Sequence, residues 1–222
     1  MDAVKIDLTT ANVKTTDKQY EIKKEIPGGG KSYCFFKRAF DIIVSFIGLL
    51  VCCIPMVVIA IIIKLDSKGP VIYKQERVGL GGKPFMIFKF RTMKVDAEAN
   101  GPQWASENDD RCTKVGRFLR NTRLDELPQL LNIFGGQMSI VGPRPERECF
   151  YVEFEKYIHG FRNRLDVKPG LTGLAQINGG YDLAPEEKII FDMEYIKNRS
   201  FWGDIKLIFK TVKLVFTHEG AR

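Results

Sequence analysis

The sequence predicts an α+β protein: a mostly helical cytosolic domain with a short β-hairpin, anchored by a proline-broken re-entrant membrane helix and by interfacial amphipathic helices. Three observations predict this architecture: an uncharged apolar run over residues 42–63, two strand-like segments after it, and helical periodicity over much of the remaining chain. A chain of 222 residues with 45% hydrophobic residues has the size and composition of one folded domain with an appendage.

The N-terminal stretch is polar. It is rich in Thr, Lys and Glu, and Gly28-Gly29-Gly30 lies near its end. Such a composition lacks the apolar surface that would order the chain. We therefore predict a disordered tail over residues 1–34, a membrane helix over 35–66 and a cytosolic domain over 67–222.

The apolar run over residues 42–63 is long enough, at 1.5 Å per residue, to cross a hydrocarbon core of about 30 Å. Pro55 lies inside it and removes a helix hydrogen bond. Basic residues stand on both sides of the run, and such flanks are typical of the cytoplasmic face. This favours a helix that enters and returns on one face, with a kinked spanning helix as the alternative. The flanking residues are Lys23, Lys24, Lys31, Lys37 and Arg38 before the run and Lys64, Lys68, Lys74, Arg77 and Lys83 after it.

Two short strands are predicted over residues 71–77 and 84–92, joined by a glycine-rich turn. Alternation along the second strand puts Lys89 and Arg91 on one face, together with Ile87. Two cations on one strand face suit an anionic ligand. A solvated strand face is the alternative.

Helical segments are predicted over residues 113–119, 124–134, 147–157, 185–197 and 202–216. The last is amphipathic, with lysines on one face and an apolar stripe on another. This pattern is typical of a helix lying in a membrane interface, and a surface helix packed on the domain shows it too. The stripe consists of Ile205, Ile208, Phe209, Val212, Val215 and Phe216.

The adjacent carboxylates Asp125 and Glu126 precede Pro128, a residue suited to the first turn of a helix. A helix N-terminus favours negative charge and also suits a bound phosphate. The pair is therefore a candidate site for chemistry. The alternative is plain capping, because Thr122 with Asp125 three residues later resembles a capping box.

Arginines cluster around this pair in the sequence. Arg117, Arg120 and Arg123 precede it, and Arg144 stands between two prolines in a turn that would present its guanidinium rigidly. A guanidinium binds phosphate through two parallel hydrogen bonds, which suits it to phosphate recognition. The net charge of +7 likewise indicates an anionic partner. Charge alone does not distinguish nucleic acid, lipid headgroups and a phosphorylated substrate.

Metal sites built on sulfur or imidazole are not predicted. The five cysteines are odd in number and lack C-x-x-C spacing, and the chain has two histidines. We expect the thiols to be reduced. The sequence also has no P-loop and no G-x-G-x-x-G dinucleotide motif.

Five ordered motifs together resemble the bacterial sugar transferase family, the small monotopic phosphoglycosyl transferases. They are KRAFDIIVSFIGLL, the proline-broken apolar run, KLDSKGPVIYKQERVGLGGKPFMIFKFRTM, KVGRFLRNTRLDELPQLLNIFGGQMSIVGPRPE and VKPGLTGLAQING. The resemblance covers roughly residues 35–218. Five motifs in order are much more specific than any one of them.

The resemblance implies transfer of a sugar 1-phosphate from a nucleotide sugar, UDP-linked, to undecaprenyl or another polyprenyl phosphate. Nucleoside monophosphate leaves, and a covalent phospho-sugar forms on Asp125. Glu126 assists through the metal or the acceptor's proton, and both carboxylates are candidate ligands of the cofactor Mg2+. Arg91 is a candidate from its strand face alone. The resemblance implies phosphate- or substrate-binding roles for Lys89, Arg120, Arg144 and Asp204.

The expected place of action is the cytoplasmic face of the inner membrane, in the first membrane step of exopolysaccharide, capsule, O-antigen or glycoprotein glycan synthesis. Expected partners are the donor, the acceptor, membrane lipid and downstream glycosyltransferases, but no nucleic acid. Sugar contacts are expected in loops 94–112 and 178–186. Gly180 stands where some relatives have an arginine, so a phosphate contact there is in doubt.

Two rival functions remain open. In the first, the arginines hold lipid headgroups or another anion, the carboxylate pair caps a helix, and the protein is a membrane-anchored binding module without catalysis. In the second, the enzyme transfers the bare sugar and releases nucleoside diphosphate. The released nucleotide distinguishes the three functions.

Overall fold

The computed structural model describes residues 13–16, 19–97, 109–180 and 183–217, and in these ranges the protein combines helices and strands with helix in excess. The strands are β1 Val13–Thr16, β2 Gln19–Ile22, β3 Ile72–Val78, β4 Pro84–Phe90, β5 Ser139–Val141, β6 Ile158–His159 and β7 Gly170–Thr172. The helices are α1 Gly30–Asp66, α2 Lys114–Asn121, α3 Gln129–Phe134, α4 Glu148–Phe154, α5 Leu174–Ile177, α6 Pro185–Asn198 and α7 Phe201–Thr217. The predicted mostly helical α+β class is confirmed.

The predicted hairpin is present as β3 and β4, which pair antiparallel from Ile72 opposite Phe90 to Val78 opposite Pro84. Phe85 and Ile87 point into the main hydrophobic core, which they share with β5, α4 and α6. β5 pairs with β7 in parallel, so the turn after each of these strands lies at the same edge of the pair. The core thus holds the hairpin and the turn after β5 against each other.

The N-terminal stretch differs from its expected disorder. β2 pairs with β1 and, in parallel, with β6, and Ile22 is buried in the core. Further along, Gly28 donates its N–H to the carbonyl of Ile196, and α1 begins at Gly30, ahead of the expected boundary at residue 35. This attachment combines backbone hydrogen bonds, which any residue can make, with burial of the single side chain of Ile22, so a polar composition does not exclude it. Residues 1–12, 17 and 18 lie outside the described ranges.

Replacing Ile22 by Ala should lower the free energy of unfolding by about 2–5 kcal/mol, because a buried Ile loses contacts and leaves a cavity. Ile26 offers a matched control, since it is 88% exposed where Ile22 is 7% exposed. Ile26→Ala should change the free energy of unfolding by less than about 0.5 kcal/mol. Denaturant unfolding in detergent measures both. Equal stability of the two variants would contradict the packing of this segment.

α1 is continuous from Gly30 to Asp66, with Pro55 inside it. The expected break of the helix at Pro55 is therefore not observed. A proline removes one hydrogen bond of the ladder, and the bonds on either side can persist. Among the described helices, α1 is long and apolar enough to cross a membrane: its most apolar window has a mean hydropathy of 3.2 and is 11% buried.

Both halves of α1 pack on the same domain. Before Pro55, Asp41 accepts hydrogen bonds from Ser139 and Ile140 of β5. After it, Ile59 and Ile63 are buried with Phe90 and Leu119. Helix α1 thus contacts the domain on both sides of Pro55.

α7 has features of both alternatives considered for it, a helix in the membrane interface and a surface helix packed on the domain. Leu207 is buried in the core and Ile208 packs against it, while Trp202, Phe209 and Val212 are exposed. The side chains of Val215 and Phe216 lie outside the described part of the chain. One side of α7 thus packs on the domain, and the other presents apolar side chains outward.

Candidate active site

α2 approaches the end of β4 very closely. A Cβ on Gly116 would lie 1.9 Å from the carbonyl oxygen of Thr92, so glycine permits this contact. Thr113 caps the helix, its hydroxyl accepting the N–H of Gly116 at 2.9 Å. One helical turn later, the Nε of Arg120 donates to the Thr92 hydroxyl at 3.0 Å. The close approach therefore sets the position of Arg120.

The carboxylate pair follows a sharp backbone turn at Arg123, whose φ of 57° is the one positive value of a non-glycine residue in the described ranges. Such a conformation is costly for a side-chain-bearing residue and is often found at functional sites. Asp125 and Glu126 then lie in a 3-10 turn ahead of α3. The predicted single helix over residues 124–134 is thus two shorter pieces.

The capping alternative for the pair is wrong. Thr122 ends α2, and its hydroxyl donates to the carbonyl of Phe118 at 2.8 Å. The 3-10 turn that follows begins after Arg123 and has no side-chain cap, so Thr122 and Asp125 do not form a capping box. The carboxylates of Asp125 and Glu126 are therefore directed by other contacts.

Two cations converge on one oxygen of Glu126. The Lys89 Nζ lies 3.1 Å and the Arg144 Nη2 lies 2.6 Å from Glu126 Oε1. Lys89 comes from β4 and Arg144 from the turn after β5, so the core that holds these strands also sets the geometry of the site. Glu126 thus holds both cationic side chains at one point of the site through charge-assisted hydrogen bonds.

The two carboxylates have opposite pKa shifts. Burial raises the pKa of Asp125 to about 6, with a further increase from the charge of Glu126, against the opposing charges of Lys89, Arg120 and Arg144. Burial also acts to raise the pKa of Glu126, but Arg144 and Lys89 outweigh it and hold that pKa well below its usual range. Glu126 is thus firmly ionised, while Asp125 is the more basic, proton-accepting carboxylate of the pair.

A cavity of about 390 Å³ brings the predicted residues together: Lys89, Arg120, Asp125, Glu126 and Arg144 all line it. Gly180, the position at which a phosphate contact was in doubt, lines it as well. Residues 98–108, 181 and 182, which belong to the two loops expected to contact the sugar, lie outside the described ranges.

Sequence reasoning missed several residues that line the cavity, namely Arg77, Glu146, Arg147, Gln176 and Lys188. Glu146 and Arg147 directly follow the Arg144 turn, which was a usable signal. Arg77 lies next to the last residue of β3, and its pairing with the Glu146 carboxylate at 3.1 Å could not be inferred from spacing. Basic side chains far outnumber the acidic ones around the cavity.

Arg91 and Asp204 have structural partners. The Arg91 side chain borders the cavity but donates to the carbonyls of Ser67 and Lys68, both at 2.7 Å, and so holds the end of α1. Asp204 is 4% exposed and does not line the cavity. Its carboxylate accepts hydrogen bonds from Lys37 at 2.6 Å and from Tyr33 at 2.8 Å. Substrate binding by these two residues stays a prediction.

The carboxylate pair provides the candidate metal ligands. In the part of the chain that the structure describes, no group of three or more His, Cys, Asp or Glu side chains is placed so that it could hold a metal ion. Mg2+ is commonly held by one or two carboxylates together with substrate phosphates and water. Asp125 and Glu126, both facing a cavity rich in cations, fit that donor set.

These features define a class: a protein with a membrane-type apolar helix and a cation-rich cavity lined by the adjacent carboxylates Asp125 and Glu126. Comparison with known families is more specific. The family model described as bacterial sugar transferase matches residues 32–218. The chain belongs to this family.

Several curated proteins are similar to the chain. A UDP-N-acetylgalactosamine-undecaprenyl-phosphate N-acetylgalactosaminephosphotransferase of Aeromonas hydrophila is 42% identical, over 86% of this chain and 46% of that protein. A UDP-glucose:undecaprenyl-phosphate glucose-1-phosphate transferase of Escherichia coli K12 is 45% identical, over 83% and 41%. An undecaprenyl-phosphate galactose phosphotransferase of Salmonella typhimurium LT2 is 40% identical, over 86% and 42%. The chain spans less than half the length of these relatives.

Proposed function

We propose that the protein transfers a sugar 1-phosphate from a UDP-sugar to undecaprenyl phosphate and releases UMP. The observation that carries this proposal is the geometry of the carboxylate pair: Lys89 and Arg144 both contact Glu126, and the neighbouring Asp125, 7% exposed, lines the same cavity. Burial raises the pKa of Asp125, and a more basic carboxylate is a better nucleophile than an ordinary aspartate. The names of the relatives support the donor and the acceptor.

In the proposed first step, an Asp125 carboxylate oxygen attacks the sugar-bearing phosphorus. A bond from that oxygen to phosphorus forms, the bond from phosphorus to the bridging oxygen breaks, and UMP leaves. In the second step, a phosphate oxygen of the lipid attacks the same phosphorus and releases Asp125. Dividing the transfer into two displacements lets one set of cations serve both.

The cations of the cavity neutralise the phosphate oxygens during both displacements. Arg144 and Lys89 already lie within hydrogen-bonding distance of a carboxylate oxygen, and Arg120 is oriented by Thr92. Asp125 and Glu126 would hold Mg2+, which supplies further positive charge to the donor's phosphates when bound. The chain's own residues bind and orient the diphosphate.

The identity of the released nucleotide tests this function. The purified protein in detergent should release UMP from at least one of UDP-glucose, UDP-galactose and UDP-N-acetylgalactosamine when undecaprenyl phosphate and Mg2+ are present. Release of UDP would instead identify transfer of the bare sugar. Absence of turnover across a wide panel of nucleotide sugars would support a binding module without catalysis.

The proposed location is the cytoplasmic face of the inner membrane, with α1 as a re-entrant anchor. Gly48 faces Leu130 of α3, and Met56 packs beside the buried Ile59 and Ile63. The helix between Gly48 and Met56 measures about 12 Å at 1.5 Å per residue, against a hydrocarbon core of about 30 Å. Because α1 contacts the domain at two points this close together, Gly48 before Pro55 and Met56 after it, a helix that re-enters on one face is favoured over a helix that crosses the membrane.

Cysteine labelling should place residues 26 and 68, on either side of α1, in the same compartment. The five native cysteines are free thiols and can be replaced to give a Cys-free background for Ile26→Cys and Lys68→Cys, both at exposed positions. An impermeant maleimide should label neither in intact spheroplasts and both after permeabilisation. Labelling of one of the two in intact spheroplasts would show that α1 crosses the membrane.

A further inference from the structure

The turn that carries Arg144 is fastened at each of its carbonyl groups. The carbonyl of Pro143 accepts the N–H of Gly170 at 2.9 Å, that of Pro145 accepts from Arg77 at 3.1 Å, and that of Glu146 accepts the N–H of Val78 at 3.0 Å. The two prolines restrict φ on both sides of Arg144. The turn is therefore built to hold one conformation.

The carbonyl of Arg144 itself accepts from a buried arginine. The Nη2 of Arg164 donates to this oxygen at 3.0 Å. The same nitrogen lies 2.7 Å from an oxygen of Asp192 in α6, and both side chains are 1% exposed. Arg164 also lies over the ring of Phe161, 5.0 Å from its centroid.

A buried ion pair of this kind adds little to stability. Removing two charges from water is costly, and apolar side chains of similar volume often stabilise a fold equally well or better. What the pair adds here is a fixed, charge-assisted hydrogen bond to the backbone of Arg144. That backbone position sets the point from which the Arg144 guanidinium reaches Glu126, at 2.6 Å.

We propose that Arg164, oriented by Asp192, is a positioning residue that holds the Arg144 guanidinium in the site. The chain of contacts runs from Asp192 through Arg164 and the Arg144 carbonyl to Glu126. The inference rests on the proposed function, in which Arg144 neutralises the donor's phosphates. It adds a layer of residues outside the cavity on which the reaction depends.

The test replaces the ion pair by apolar residues of similar size. Arg164→Met alone leaves Asp192 buried and unpaired, so it should be unstable. The combined variant Arg164→Met with Asp192→Leu removes both charges and should melt close to the wild type. Because neither new side chain can donate to the Arg144 carbonyl, kcat/KM for UMP release should still fall roughly tenfold or more.

A double-mutant cycle distinguishes positioning from a general structural effect. In an Arg144→Ala background, replacing the ion pair should cause no further loss of kcat/KM, because the residue it positions is gone. Should the apolar pair fail to fold, Arg164→Lys provides the same cycle. Lys keeps the charge beside Asp192 but lacks the planar fork, so the same dependence on Arg144 is expected.

Arg162 is the matched control. It lies two residues before Arg164 and over the ring of Tyr151, but it pairs with Glu148 at the surface. Arg162→Met should leave kcat/KM unchanged. Full activity of the apolar-pair variant, or an equal loss with and without Arg144, would overturn the proposal. Full activity of Arg144→Ala alone would contradict the role of Arg144 in the proposed function and this inference with it.

Discussion

Asp125→Asn should abolish the burst of UMP expected from the wild-type protein. In that burst, the wild type mixed with its UDP-sugar and Mg2+ but no lipid should release one UMP per active site. An amide is a far poorer nucleophile than a carboxylate, and loss of a covalent nucleophile lowers turnover by more than roughly 10³-fold. Asn has nearly the same shape as Asp, so the 3-10 turn that carries it should survive. Rapid-quench measurement of UMP and intact-mass spectrometry of the adduct test this directly.

Glu126→Gln is the informative comparison for Asp125. Glu126 holds Lys89 and Arg144, and its loss should impair turnover while leaving some slow adduct formation on Asp125. Steady-state kinetics of the wild type should be ping-pong. A ternary-complex pattern, with no sugar phosphate on Asp125 in quenched samples, would instead indicate direct attack by the lipid phosphate.

Arg144→Ala should lower kcat/KM roughly tenfold to a hundredfold or more, because one charge-assisted contact to phosphate contributes about 1.5–3 kcal/mol. Lys89→Met should have a comparable effect. Arg144→Lys should recover part of the activity, since an ammonium lacks the fork of the guanidinium. Measurement of UMP release at saturating lipid phosphate gives all three values.

Matched controls are available on the same elements. Lys74 is exposed on β3 and lies over Phe88, and Arg117 is exposed on α2; neither lines the cavity. Lys74→Met and Arg117→Ala should retain activity in detergent. If Arg144→Ala is as active as these controls, Arg144 does not contact the donor.

Much of the site and fold could be predicted because the signals are local. The hairpin follows from alternation and a glycine-rich turn, and α6 begins at Pro185 as its pattern indicates. The adjacency of Asp125 and Glu126 is a property of the chain itself. The apolar run that becomes the middle of α1 needs only composition to be recognised.

The sequence by itself determined the hairpin, most of the helices, where the apolar helix lies and which two carboxylates stand together. The tertiary structure decided the rest: that Lys89 and Arg144 both contact Glu126 and that Arg91 holds the end of α1. Partners such as Lys89 and Glu126 are 37 residues apart along the chain. Periodicity and turn chemistry act over a few residues, whereas a charge selects its partner by distance in space, and packing of the core sets that distance.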